Sequence, residues 1–433
     1  MKVFHPSIYS IFFFIFCSTA LLGQQIKKAE TGPFILKNAT LHTITDGTFL
    51  GDLHIENDKI KAIGSNLPTL VNAKIIDCTN KHIYPGFIDS GTRLGLAEIE
   101  SVSLTNDFNE LGDFIPHMKA LTAVNPNSVS IPVTRVNGIT TVFTKPERNT
   151  FPGTGALIDL FGYTPDQMFA GSEAVLMNFP STGKRGRFDR RSDEDVKKDA
   201  ASALKKLNDI WEKAVLYSKI DSMAKYDNKL FDTYNPQMDA LLPIVRGKSK
   251  LFIEVNKKDD IASAIKWVKE KGIDCVLTGV AEGGRIAEQI KEANLDVITG
   301  PILKVPGRSS AKYDESYQNP SIMAKAGIKV AIRTDDAENV RNLPFNAAYA
   351  ASYGLGQDEA LKCITINPAQ IFGVDHLYGS LTVGKVANLF VSTGDPFEPK
   401  TKITDLFIRG WKAPLESRHT LLYDEFLQRS PGN

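Results

Sequence analysis

The sequence predicts an α/β fold: a (β/α)8 TIM barrel with a small β-sandwich formed by both chain ends. Short apolar runs alternate with helical periods over residues 85–370, which is typical of a barrel. Residues 24–84 and 371–433, on either side, show strand patterning instead. A length of 433 residues fits two or three such units.

The chain ends carry the strand signals. Leu53–Glu56 leads through Asn57-Asp58 into Lys59–Gly64, with period-two alternation around a turn. This pattern predicts an antiparallel sheet before the barrel. Near the other end, Ala387–Val391 and Ile403–Ile408 predict strands of the same unit.

The central region carries the barrel signals. Its buried parallel strands are predicted at 138–143, 251–255, 274–277, 296–298 and 329–332, with helical stretches such as 260–271 between them. Residues 192–247 do not follow this alternation of strands and helices. Ser192 and Asp195 resemble a capping box, and apolar residues then recur at helical spacing, which predicts a long helical excursion packed on the barrel.

The N-terminus predicts a targeting signal over residues 1–23. Lys2 precedes an apolar run from Ile11 to Leu22, with small residues near its end. Such a short run favours a cleaved secretory signal peptide, and a retained anchor is the alternative. We therefore expect a secreted or periplasmic protein with no membrane attachment after cleavage.

Charge and cysteine content exclude several classes of function. The formal net charge of +1 gives no global field that would favour nucleic acid or anionic lipid. After cleavage the chain keeps Cys78, Cys275 and Cys363, which form no Cys-x-x-Cys pair and predict buried, inert thiols.

Two motifs carry a resemblance to a known family. Tyr84-Pro85-Gly86-Phe87-Ile88-Asp89 opens the barrel, and Asn367-Pro368-Ala369 is followed by the run from Gly379 to Leu389. With this order of elements, the chain resembles the amidohydrolase superfamily, in its imidazolonepropionase-like branch. The resemblance covers nearly the whole mature chain and implies a barrel of the metal-dependent hydrolase type with a composite β-sandwich.

The resemblance implies metal-assisted hydrolysis, in which barrel histidines and an aspartate hold one or two divalent metals such as zinc. Transferred onto this chain, the positions of the metal ligands fall on Gly91, Arg93, Glu254, Gly279 and Asp335. Only Asp335, the position of the family's catalytic base, keeps the expected residue type.

A histidine count supports the loss of the metal site independently of the comparison. The chain has seven histidines, and between residues 86 and 370 only His117 occurs. A site built on several barrel histidines therefore cannot form, and we expect no metal cofactor.

Arg93 suggests what replaces the metal. A guanidinium cannot ligate a metal because it stays protonated, and two carboxylates in one barrel mouth need a cation between them. We expect Arg93 to pair with Asp335, and with Glu254 as a second partner. The alternative is a surface arginine at a position that has drifted.

Two functions remain open. The first is a non-hydrolytic binding or partner subunit, a pseudoenzyme that forms a homo-oligomer or joins an intact amidohydrolase, with a small C–N compound as a candidate ligand in the barrel mouth. The second is an active hydrolase of non-peptide or peptide-derived C–N bonds. Its rebuilt, oxygen-rich metal site would use Glu254, Asn256, Asp335 and Asp336, with Asp335 as base.

Overall fold

The computed structural model describes residues 28–69, 71–183, 189–224, 235–305 and 312–429. The predicted signal segment, residues 1–23, lies outside these ranges. Within them, no helix is long and apolar enough to cross a membrane. Cys78, Cys275 and Cys363 are buried and free, as predicted, and burial raises the pKa of each thiol.

The strands fall into two sheets. In chain order they are β1 Phe34–His42, β2 Thr48–Glu56, β3 Lys59–Gly64, β4 Lys74–Asp77, β5 His82–Pro85, β6 Phe87–Thr92, β7 Ile139–Thr144, β8 Gly153–Asp159, β9 Phe169–Asn178, β10 Leu251–Val255, β11 Cys275–Gly279, β12 Asp296–Thr299, β13 Val330–Ile332, β14 Leu389–Ser392, β15 Ile403–Ile408 and β16 Trp411–Ala413.

The α-helices lie mainly between the barrel strands. They are α1 Ala120–Ala123, α2 Ser130–Arg135, α3 Pro165–Met168, α4 Asp193–Ala224, α5 Pro236–Val245, α6 Lys258–Lys271, α7 Ala287–Glu292, α8 Glu315–Lys325, α9 Leu343–Ala350, α10 Gln357–Lys362, α11 Ile366–Ile371 and α12 Arg418–Gln428. Helix α4 begins after Ser192, whose hydroxyl accepts from the Asp195 backbone N–H at 3.0 Å.

The barrel sheet has the order β13-β12-β11-β10-β9-β8-β7-β6, and its two edge strands contact each other. The predicted TIM barrel is confirmed, with one departure: β8 runs antiparallel to both β7 and β9. Only eight residues separate β7 from β8, positions 145–152. A parallel crossover needs a dozen or more, so the chain turns back as a hairpin.

The second sheet is built from both chain ends, as predicted, with the order β16-β15-β14-β5-β1-β2-β3 and β4 beside β1. The predicted antiparallel pairing is confirmed for β1, β2 and β3, but it does not extend to β4 and β5, which pair with β1 in parallel. After the β2–β3 hairpin the chain crosses to the free edge of β1, where it runs in the same direction as β1.

A buried polar cluster joins the two sheets at the barrel floor. We call it the floor cluster; its members are Thr141, Asp159, Tyr378, Asn388 and Arg409. The Asp159 carboxylate accepts from Thr141 Oγ1 at 2.9 Å, Asn388 Nδ2 at 2.7 Å, Arg409 Nε at 2.6 Å and the Tyr378 hydroxyl at 3.1 Å. The cluster thus holds the barrel and the end-strand sheet in register.

Candidate functional site

A small cavity of about 90 Å³ lies at the carboxyl ends of β10, β11, β12 and β13. Its lining includes Glu254 of β10, Asn256 just after β10 and Gly279 of β11. The segment after β13 contributes Arg333 and Asp335. Active sites of barrel enzymes lie at this end. The predicted positions Glu254, Gly279 and Asp335 therefore do converge.

Arg333 is the central cation of the mouth. Its guanidinium binds Glu254 in a bidentate pair, with Nη1 at 2.6 Å from Oε2 and Nη2 at 2.8 Å from Oε1. Nη2 also donates to Asp335 Oδ2 at 3.3 Å. The Arg333 side chain is 3% exposed, so these charge-assisted bonds form largely out of water.

Lys145 is the second cation. It directly follows β7, and its side chain is 7% exposed. Its Nζ lies 3.0 Å from Asp335 Oδ1 and 2.8 Å from Glu147 Oε1. We call Lys145, Glu254, Arg333 and Asp335 the mouth cluster; it contains two cations and two carboxylates.

The charges of the mouth cluster stabilise one another. Burial acts to raise the pKa of Glu254 and of Asp335, but Arg333 and then Lys145 outweigh it and hold both below their usual range. Burial acts to lower the pKa of Arg333 and of Lys145, and the carboxylates, Asp335 foremost, raise both. All four groups are therefore charged at neutral pH.

The predicted side-chain pairing of Arg93 with Asp335 and Glu254 is wrong. Arg93 Nη2 lies 2.6 Å from Glu100 and Nη1 lies 3.0 Å from Glu147, and Nη1 donates to the Asp335 backbone carbonyl at 3.1 Å. The physical reason is that Arg333 and Lys145 already neutralise the two carboxylates. The cations that face the two carboxylates are instead the residues that directly follow β13 and β7.

Two glycines stand where the resemblance places histidines, and their missing side chains leave room for the mouth cluster. A Cβ at Gly91 would lie 2.9 Å from Arg333 Cδ, and one at Gly279 would lie 2.4 Å from Glu254 Oε1. Gly279 also has a φ of +81°, which favours glycine. A histidine at either position would collide with the residues that now fill the mouth.

Asp335 is held in place by its backbone. Its φ of +53° is left-handed, and its N–H donates to the Gly91 carbonyl at 2.9 Å. The neighbouring Thr334 N–H donates to the Asp89 carboxylate at 3.2 Å. Burial raises the pKa of Asp89 to about 7, and Asp89 ties β6 to the segment after β13.

The remaining predicted residues do not complete a metal site. Asn256 Nδ2 donates to Glu254 Oε1 at 3.2 Å, whereas the Asp336 carboxylate accepts the backbone N–H groups of Glu338 and Asn339 at 2.9 and 3.0 Å. Among the described residues, no group of three or more His, Cys, Asp or Glu side chains could hold a metal ion. The donor set therefore does not fit zinc or a similar cation.

Sequence reasoning missed the roles of Arg333 and Lys145. A signal for Arg333 existed, because it stands two residues before Asp335 and directly after the predicted strand at 329–332. Lys145 gave a weaker signal, since its contact with Asp335 joins the ends of β7 and β13 on either side of β6 and has no counterpart in local sequence.

Known proteins that resemble this chain point to one family. The model of the amidohydrolase family matches residues 251–412. A 5-methylthioadenosine/S-adenosylhomocysteine deaminase of Thermoanaerobacter pseudethanolicus is 24% identical over 393 residues, covering 82% of this chain and 84% of that protein.

Solved structures agree in fold. A crystal structure of an amidohydrolase from Thermotoga maritima MSB8 aligns with a TM-score of 0.76 and 26% identity, covering 88% of this chain and 99% of that one. Molinate hydrolase aligns over 93% of this chain and 98% of its own with a TM-score of 0.55, but at 15% identity it supports the fold alone. The barrel, the composite end-strand sheet and these matches together support the amidohydrolase superfamily as the family of this chain.

Proposed function

We propose that this amidohydrolase-family protein is a metal-free, non-hydrolytic member that acts as a binding or partner subunit. The observation that carries the proposal is the bidentate Arg333–Glu254 pair, extended to Asp335 and Lys145. A metal-activated water needs a cation with an open coordination position. Arginine and lysine have none, so a pair of this kind organises the mouth without activating water.

The proposed setting rests on the sequence, and the proposed partners rest on the resemblance to the family. The predicted signal segment favours a secreted or periplasmic protein, and the near-zero net charge favours neither nucleic acid nor a membrane surface. We propose a homo-oligomer or a complex with an intact amidohydrolase as the assembly. A small C–N compound remains the candidate ligand for the cavity at Asn256.

The second candidate is an active hydrolase of C–N bonds. The similarity to the deaminase over 82% of this chain favours it. Against it, the Asp336 carboxylate accepts hydrogen bonds within its own loop. The other two carboxylates, Glu254 and Asp335, are paired with Arg333 and Lys145. We expect no release of ammonia from 5′-methylthioadenosine; release by the purified chain, lost in Asp335→Asn, would favour the hydrolase.

Metal titration of matched variants tests the proposal. In calorimetric titrations with Zn²⁺ and Mn²⁺, we expect no binding at the mouth of the unmodified chain. Arg333→Met frees the Glu254 and Asp335 carboxylates, so we expect weak divalent-cation binding to appear in that variant.

Arg93→Met is the matched control, because it removes an arginine next to the mouth cluster but leaves both carboxylates paired. It should gain no metal binding. Stoichiometric binding by the unmodified chain that disappears in Glu254→Gln would refute the proposal.

A further inference from the structure

Arg135 is a buried guanidinium outside the mouth cluster. It ends α2 and is 7% exposed. Its Nη1 donates to the Leu160 carbonyl at 3.3 Å, and its guanidinium carbon lies 5.9 Å from the Phe161 ring centre. Within the described ranges, Nε has no hydrogen-bond partner. These contacts are few and long for a buried charge.

The charge of Arg135 also lacks a counter-ion. Burial alone lowers its pKa, to about 10, and no carboxylate in the part of the chain that the structure describes offsets this effect. The group nevertheless stays protonated at neutral pH. A buried charge without a partner is costly, and native proteins normally pair it. Arg333, buried to a similar degree, has two carboxylates.

Arg135 lines a cavity of about 390 Å³ between α2 and α12. The walls are mainly apolar and include Val129, Pro132, Leu421 and Leu422. This volume lies within the range of about 300–1,000 Å³ typical of small-molecule sites. Apolar walls with one convergent charged group are also the usual composition of such sites.

The rim of the cavity restricts the charge of a ligand. Glu416 and Glu425 lie there beside Arg418, so the rim as a whole does not attract anions. A multiply charged anion would meet these carboxylates, whereas a single carboxylate can reach Arg135 and leave an apolar body against α12. This arrangement distinguishes an amphipathic ligand from inorganic phosphate or a dicarboxylate.

We propose that the cavity between α2 and α12 binds an apolar monocarboxylate, such as a medium-chain fatty acid, with its carboxylate on Arg135. The guanidinium supplies charge-assisted hydrogen bonds, and the apolar chain is removed from water. This site is separate from the barrel mouth. It does not depend on whether the mouth holds a metal.

Calorimetric titration with octanoate and 1-octanol tests the site. The two probes share an alkyl chain and differ in charge. We expect octanoate to bind one-to-one and about tenfold or more tightly than 1-octanol. Arg135→Met should abolish this difference by weakening octanoate binding about tenfold, while its effect on 1-octanol stays small.

Arg418→Met is the matched control, because it removes a cation from the rim and leaves the buried one. It should keep the preference for octanoate. Leu422→Asp places a carboxylate in the wall on an exposed helix and should weaken octanoate binding; this variant serves if Arg135→Met fails to fold.

The proposal is overturned if octanoate does not bind, or binds no more tightly than 1-octanol. It is also overturned if folded Arg135→Met keeps the preference, if Arg418→Met loses it, or if Leu422→Asp binds octanoate unchanged.

Discussion

The barrel holds a buried polar cluster at each end, and the two are built differently. At the floor, Asp159 is the one carboxylate of its cluster and accepts from three neutral side chains and Arg409. At the mouth, two carboxylates are paired with two cations, and three of these four groups, Glu254, Arg333 and Asp335, line the cavity. The floor cluster joins two sheets, whereas the mouth cluster lies where the resemblance places a metal centre.

The difference lies in what the carboxylates of each cluster require. A floor carboxylate satisfied by hydrogen bonds serves the fold, whatever the protein does. Two converging carboxylates at the mouth need a cation, and Arg333 and Lys145 provide it. The barrel fold matches that of an amidohydrolase, while the mouth pairs its carboxylates with Arg333 and Lys145.

The largest expected effect comes from breaking the mouth cluster. Arg333→Met leaves Glu254 and Asp335, whose side chains are 22% and 26% exposed, near each other with Lys145 as their remaining mouth cation. Removing one partner of a buried ion pair costs about 3–5 kcal/mol, so we expect the free energy of unfolding to fall by that amount. Urea denaturation followed by circular dichroism measures it. A loss below about 1 kcal/mol, typical of a surface pair, would contradict the buried pairing.

A substitution in the floor cluster should lower the free energy of unfolding less than Arg333→Met does. Asp159→Asn keeps the size of the side chain but weakens the bonds from Arg409 and Tyr378. Hydrogen bonds to charged groups contribute about 1.5–3 kcal/mol, and we expect a loss of unfolding free energy in that range. The same denaturation experiment applies. A greater loss than for Arg333→Met would reverse the ranking of the two clusters.

The pH dependence of stability should distinguish the mouth cluster from the floor cluster further. The folded-state pKa of Glu254 is lowered from its ordinary 4.5, so its contribution to stability is present above that value. It is lost as the pH falls below 4.5 toward the folded-state pKa, because the unfolded chain then binds more protons. Glu254→Gln should therefore flatten the dependence of the urea midpoint on pH between about 5 and 3. An unchanged slope would show that Glu254 is not held by Arg333.

The smallest loss of unfolding free energy is expected for Arg93, at the edge of the mouth. Arg93 pairs with Glu100, whose side chain is 45% exposed, and with Glu147. Water screens such pairs, so Arg93→Met should cost about 1 kcal/mol or less of unfolding free energy. A cost equal to that of Arg333→Met would restore Arg93 as the central cation.

Much of the fold could be predicted from sequence because its signals are local. The motif ending at Asp89 and the run from Gly379 to Leu389 marked the two boundaries between barrel and end-strand sheet. The reversal of β8 could not be read this way, since residues 153–159 form an apolar strand in either direction.

The site was predicted in part. Glu254, Gly279 and Asp335 were placed by motif position, and they do meet at the mouth. Arg93 was predicted as the cation for Asp335 and Glu254 because it occupies a ligand position. The actual pairing of Arg333 with Glu254 joins two separate strands, and it depends on the distance between them in the barrel. Long side chains reach over several residues, so sequence position alone cannot assign their partners.

The metal content of the chain as purified, together with its melting in the presence and absence of a chelator, tests the central claim most directly. If Arg333 and Lys145 replace the metal, the chain should carry far less than one equivalent of zinc, manganese or iron, and chelator should leave the melting temperature unchanged. Stoichiometric metal whose removal lowers the melting temperature would contradict the account.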